Sequence, residues 1–173
     1  MARPSGASIA FVVLLAGCAS APLPTPVPAS LTTASPAQMV AAVRAAGAAS
    51  DTEVAVRPLR NPATADLRDL AAGQQARGAL ADAAATLDRA LAITPDDPAL
   101  LQERAEAALL LGDYAAAEAH ARRAHAIGSQ VGPLCRRHWT TVEQVRLAAG
   151  DRGGADAAVA QVAECRVDRP ARY

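Results

Sequence analysis

Gly112-Asp113-Tyr114-Ala115-Ala116-Ala117-Glu118-Ala119-His120-Ala121-Arg122-Arg123-Ala124-His125-Ala126-Ile127 decides the fold, because the chain carries this pattern more than once. Gly78, Ala83, Ala90 and Ile93 precede Gly112, Ala117, Ala124 and Ile127 by 34 positions each. A period near 34 with small residues at fixed phases indicates stacked helical hairpins, each too thin to bury its apolar face alone. A third copy is offset. Gly150 follows Gly112 by 38 positions, which places four extra residues between Ser129 and Pro133, and beyond them Trp139 precedes Gly150 by 11 as Leu101 precedes Gly112.

In the first hairpin, a helix from about Ala63 to Arg77 turns at Gly78 into a return helix from Leu80 to Ile93, with Leu67, Leu70, Ala83, Leu87, Ala90 and Leu91 at helical spacing and facing inward. The second hairpin runs from about Pro98 to Ile127. Gly112-Asp113-Tyr114 with Ala117, Ala124 and Ile127 resembles the second half of a tetratricopeptide repeat, and Gly78 to Thr94 followed by Pro95-Asp96-Asp97-Pro98 resembles it too. The resemblance implies an all-α fold, a right-handed superhelical stack of about three hairpins at roughly 64–97, 98–131 and 136–166. It departs at Arg104, a phase commonly Leu, and at Glu143, a phase commonly small.

Hydrophobic residues make up 51% of the chain but aromatics only 2%, so the core must be built from Ala, Leu and Val, which lets helices approach closely. The formal net charge is zero and every basic residue is Arg, a balance that argues against nucleic acid as a partner. The balance hides an asymmetry. From Asp51 to Glu118 acids outnumber Arg, and from Arg122 to Tyr173 Arg outnumbers acids, so the molecule is electrically polar end to end.

Residues 1–17 begin with Arg3, continue through the apolar run Ile9 to Leu15 and end in small residues, the plan of a secretory signal too short to span a bilayer. Leu15-Ala16-Gly17-Cys18 matches the lipobox of bacterial lipoproteins. That resemblance implies cleavage before Cys18, lipidation of its thiol, acylation of the new amino terminus (palmitate being a typical chain) and a lasting membrane anchor. Ala19 follows, not the Asp that retains such lipoproteins at the inner membrane, so the resemblance favours the periplasmic face of the outer membrane.

Residues 18–36 then form a Pro-rich linker, with Pro22, Pro24, Pro26, Pro28 and Pro36 favouring an extended, semi-rigid spacer. Residues 37–61 hold a short N-terminal helix and an extended segment. Ser35-Pro36 is an N-cap followed by Pro at the first helical position, Met39, Val40 and Val43 share a face, and Gly47 ends the helix. Thr52 to Pro58 alternates as an extended stretch would. Residues 62–166 carry the repeats, and 167–173 form a tail.

Cys135 opens the third hairpin's first helix and Cys165 closes its second, so antiparallel packing brings the thiols together and an oxidising periplasm joins them. Cys135, His138 and Cys165 also have metal-like spacing but no fourth ligand. His120 and His125, five apart on one helix, read as solvent-facing. No acid-base or nucleophile constellation can be named, so the reading is noncatalytic, with no cofactor.

The repeat resemblance implies a polypeptide bound in the concave groove lined by the first helices. By phase that lining is Arg68 and Gln75, then Gln102, Glu106 and Leu109, then Arg137, Thr140 and Gln144. Arg68 and Arg137 stand at phases where some family members clamp a partner's terminal carboxylate, while Ala72 and Glu103 replace the Asn such a clamp carries. The whole reads as a lipid-anchored adaptor of an envelope complex, similar in plan to repeat lipoproteins of outer-membrane protein assembly and to type IV pilotins. The alternatives are a stalked spacer associated with the cell wall and an enzyme or metal-binding protein.

Overall fold

A computed structural model of the chain describes residues 29–48 and 61–166. The signal sequence, Cys18, most of the Pro-rich linker, the Thr52 to Pro58 segment and the tail lie outside the described residues. Those described form seven helices and no strand: α1 (Pro36–Ala46), α2 (Pro62–Ala76), α3 (Leu80–Ile93), α4 (Pro98–Leu111), α5 (Tyr114–Ile127), α6 (Gly132–Ala148) and α7 (Arg152–Glu164). The fold is all-α and resembles a helical-repeat stack, in which α2–α3, α4–α5 and α6–α7 pair as hairpins and α3–α4 and α5–α6 join consecutive hairpins. None of the described helices is long and apolar enough to cross a membrane.

Local chemistry sets the boundaries. Ser35 and Gln38 form a reciprocal capping box at α1, and Asn61, Asp97, Asp113 and Asp151 each accept a backbone N–H at a later helix start. These side chains satisfy donors that the first helical turn leaves without partners. All three hairpin turns use a glycine with positive φ: Gly78 at 77°, Gly112 at 74° and Gly150 at 74°. A side chain at any of them would be strained in the left-handed region.

The core is built from small residues. Ala71, Ala83, Ala84, Leu87, Ala90, Leu100 and Ala107 pack α2, α3 and α4 together, with Leu67 and Leu91 at the edge. Leu70 does not join them; it is exposed, one step around α2 from Ala71, which takes the inward position. Ala105, Ala121, Val142 and Ala158 join the second hairpin to the third, against Trp139. Arg104, at a phase commonly Leu, reaches back to α3 and donates from Nε to Asp88 Oδ1 at 2.7 Å, so an ion pair substitutes for an apolar contact. Glu143 is half-buried with no ion-pair partner among the described residues, and burial pushes its carboxyl above the usual range.

The third hairpin is locked covalently. Cys135 and Cys165 form a disulfide with Cα atoms 5.7 Å apart, and Gly132 N–H donates to the Cys165 carbonyl at 2.7 Å beside it. With both sulfurs joined, neither is a thiolate available to a metal, which removes the Cys-His-Cys alternative. The bridge closes a loop of 30 residues. Chain-entropy reasoning assigns such a loop about 3–4 kcal/mol. Replacing both cysteines by Ser should lower the unfolding free energy by about that amount in a urea titration, and an unchanged midpoint would show the bridge to be energetically idle.

Candidate functional site: the open half of the concave face

The first helices of the three hairpins, α2, α4 and α6, share one face of the stack, and α1 lies across part of it. Met39, Val40 and Val43 are buried there, and Val40 and Val43 pack with Ala108, Leu109, Ala117 and Val145. The far end of α1 is fastened by Arg136 on α6, whose Nε and Nη2 donate to the Ala46 and Ala48 carbonyls at 2.8 and 3.2 Å. The Ala46 carbonyl is among those a helix C-terminus leaves without partners. The near end is fastened by Leu31 N–H, which donates to the Leu147 carbonyl at 2.8 Å. Gly47 completes the fit, because a Cβ there would overlap the Arg137 side-chain methylenes.

A groove open along all three hairpins is therefore not what forms. Gln102, Leu109 and Thr140 are buried, Leu109 directly under α1, and are not presented to a partner in this structure. Gln144 is half-buried on α6 and does not line the remaining opening. For Leu109 the cause is α1, whose Val40 and Val43 find a matching face on α4 and α6, whereas Gln102 is drawn into a polar network with Glu106, Thr141 and His138.

What stays open is a pocket of about 520 Å³ between the end of α1 and helices α2, α4 and α6. Arg68, Gln75, Glu106 and Arg137, four of the residues read from the repeat phase, do meet in it. The sequence reading missed Arg44 and Asp69, as well as the role of Glu103. Arg44 carried a signal, since it follows Val43 in the last turn of an amphipathic helix.

Apart from Asp69, the charged side chains of the pocket pair with one another, and Arg68 Nη1 is left without a partner among the described residues. Glu106, only 1% exposed, is held by Arg137 Nε at 3.0 Å on Oε1 and by Arg44 Nε at 2.8 Å on Oε2. Arg44 also donates from Nη2 to Gln75 Oε1 at 3.2 Å. Arg68 forms a two-pronged pair with Glu103, Nε to Oε2 at 2.8 Å and Nη2 to Oε1, the geometry that suits a guanidinium best. Glu103, standing where a carboxylate clamp carries Asn, thus occupies the clamp arginine with a carboxylate of the chain's own.

Behind the pocket the network runs on into the core. Gln102 Nε2 donates to Glu106 Oε1 at 3.1 Å and to Thr141 Oγ1 at 2.9 Å, which leaves Gln102 Oε1 to accept from His138 Nδ1 at 2.8 Å. His138 is accordingly neutral with its proton on Nδ1, and its buried Nε2 has no partner among the described residues. His125 is not solvent-facing; its ring packs edge-on against Trp139, centroids 4.8 Å apart, because α5 and α6 are neighbours there.

No protein-family model matches the chain, and no curated protein matches it. Among solved structures, the globular C-terminal domain of P. aeruginosa LpoP is similar, with 33% identity and a TM-score of 0.57 over 61% of this chain and 99% of that one. The chain belongs to the family of that domain. The likeness joins an all-α fold of the same plan to a shared sequence, and the matched share of this chain leaves room for a leader and linker outside it.

Burial first, then the charges of His125 and Arg137, lower the His138 pKa from 6.5 to about 3. Between those values the unfolded chain binds the proton and the folded chain does not, so stability is full above about pH 6.5 and falls as pH drops towards 3. The slope from one such group is at most about 1.4 kcal/mol per pH unit. His120 and His125, also lowered chiefly by burial, act with the same sign. Urea titrations from pH 7 to 4 should show this loss, reduced in a His138→Gln variant; equal slopes in the two proteins would contradict the assignment.

Proposed function

We propose that this is a lipid-anchored protein of the bacterial envelope that binds a polypeptide partner in the open half of its concave face and performs no catalysis. The observation that carries the reading is the pocket beside α1, a bounded opening on the concave side of the described residues with the volume that ligand sites have. The likeness to the LpoP domain supports it, as does the order signal, lipobox, Pro-rich linker and helical domain along the sequence. Cys18 carries the lipid, the linker stands the domain off the bilayer, and the periplasmic face of the outer membrane is its place. Arg68, Gln75, Glu106 and Arg137 shape the pocket, the arginines through their internal pairs.

Substitutions in intact cells test this. Cys18→Ser should block lipidation and processing at this site, and a variant still processed after Gly17 that still fractionates with the outer membrane at high salt would contradict the anchor. A photoreactive residue at Ala72, exposed on the pocket wall, should yield one discrete protein adduct, whereas the same residue at Ala157, exposed on α7, should not. Adducts of equal size and yield from both positions, or none from Ala72, would contradict the groove reading.

A further inference from the structure

The walls of the open half carry three Arg and three acids, Arg44, Arg68 and Arg137 against Asp69, Glu103 and Glu106, so the lining has no net charge. A carboxylate entering beside Arg68 meets Glu103, which already holds that guanidinium at two nitrogens, and the charges of Asp69 and Asp97, which also act on it. An ammonium drawn to exposed Asp69 comes within range of the Arg68 charge, since those two groups act on each other. Either sign therefore gains an attraction and a repulsion together.

What the walls lack is acceptors. Arg68 is nine-tenths buried; Nε and Nη2 are fixed on Glu103, while Nη1, covered from bulk water, has no partner among the described residues. The two-pronged pair sets the guanidinium plane, so Nη1 does not turn to find an acceptor elsewhere. A buried donor left without an acceptor is costly, and most such groups in folded proteins are paired. Gln75 supplies a second donor. Its Oε1 accepts from Arg44 Nη2, which aims its amide nitrogen the other way, and that nitrogen has no bond among the described residues.

Arg68 and Gln75 stand two helical turns apart on α2, about 10.5 Å along the axis. In a polyproline II stretch, whose backbone makes no internal hydrogen bonds, carbonyls three residues apart point the same way and lie about 9.3 Å apart. Ala72, between the two donors and exposed on the pocket wall, carries nothing beyond Cβ and lets a second backbone come close.

We infer that the opening holds an uncharged, extended segment of the partner polypeptide, one main-chain carbonyl accepting from Arg68 Nη1 and a carbonyl three residues away accepting from Gln75 Nε2. This rests on the groove reading above and names what that groove recognises. Arg68 serves as a donor whose charge is already matched, and Glu103 keeps carboxylates away from it.

The test uses the full lipidated protein in detergent and three fluorescent nonapeptides of Ala and Pro with both ends blocked, one uncharged, one with two Glu and one with two Lys. Anisotropy titrations should show saturable binding of the uncharged peptide, insensitive to salt, with both charged peptides at least about fivefold weaker. Arg68→Lys keeps the charge and removes Nη1, and should weaken the uncharged peptide at least about tenfold. Glu103→Gln frees the Arg68 charge; it should leave the uncharged peptide within about twofold and strengthen the Glu peptide at least about fivefold. Equal affinities for the three peptides, tighter binding of either charged one, or no binding of any would overturn the assignment. So would an unchanged affinity in Arg68→Lys or no gain for the Glu peptide in Glu103→Gln, the crosslinks at Ala72 and Ala157 deciding the groove separately.

Discussion

A buried carboxylate organises the concave side of this molecule. Glu106 sits in the middle of α4, almost wholly out of water, and is matched by guanidinium groups from α1 and α6 and by the Gln102 amide. Removing an ion from water costs several kcal/mol, which only close counter-charges and hydrogen bonds offset. The requirement therefore fixes three elements at once: Arg137 holds α6, Arg44 holds the end of α1, and Gln102 carries the network to His138 and Thr141. An apolar residue at 106 would pack without them, and nothing would then set the position of the α1 terminus so narrowly.

From that constraint the division of the concave face follows. On one side of Glu106, α1 lays Met39, Val40 and Val43 against α4 and α6 and closes the face. On the other side α2 and α4 meet through Arg68 and Glu103, and the gap between them stays open. The same helix that precedes the repeats thus occupies half of the surface that the repeats build, and its own end forms one wall of what is left.

The hairpins were legible from sequence because their signals are local. A glycine at each hairpin turn, an Asp or Asn before four of the six later helices and Ala at recurring phases state the conformation within a few residues of where it occurs. The closeness of Cys135 to Cys165 was legible for a related reason, as the two ends of an antiparallel hairpin must meet. The docking of α1 was not. Three apolar residues at helical spacing say that a helix has a buried face but not which surface buries it, and Leu109 and Thr140, read as groove lining, owe their burial to packing decided elsewhere in the chain. The pairing of Arg68 with Glu103 was half legible: Glu103 stood out as a departure from the clamp pattern, yet only the packing of α2 beside α4 turns that departure into an internal partner. Asp69 had no signal at all, since an exposed Asp on a helix is ordinary until the packing of α2 places it on the pocket wall.

The division of the concave face depends on α1 filling its half, and the contact that tests this most directly is the packing of Val40 and Val43 on Leu109 and Val145. A methyl NOESY spectrum of the protein in detergent should show strong cross-peaks from Val40 and Val43 to the α4 and α6 methyls, Leu109 and Val145 among them. Absent cross-peaks, together with α1 amides exchanging as fast as those of an unstructured peptide, would mean that the face is open along its whole length and that the divided groove described above does not exist.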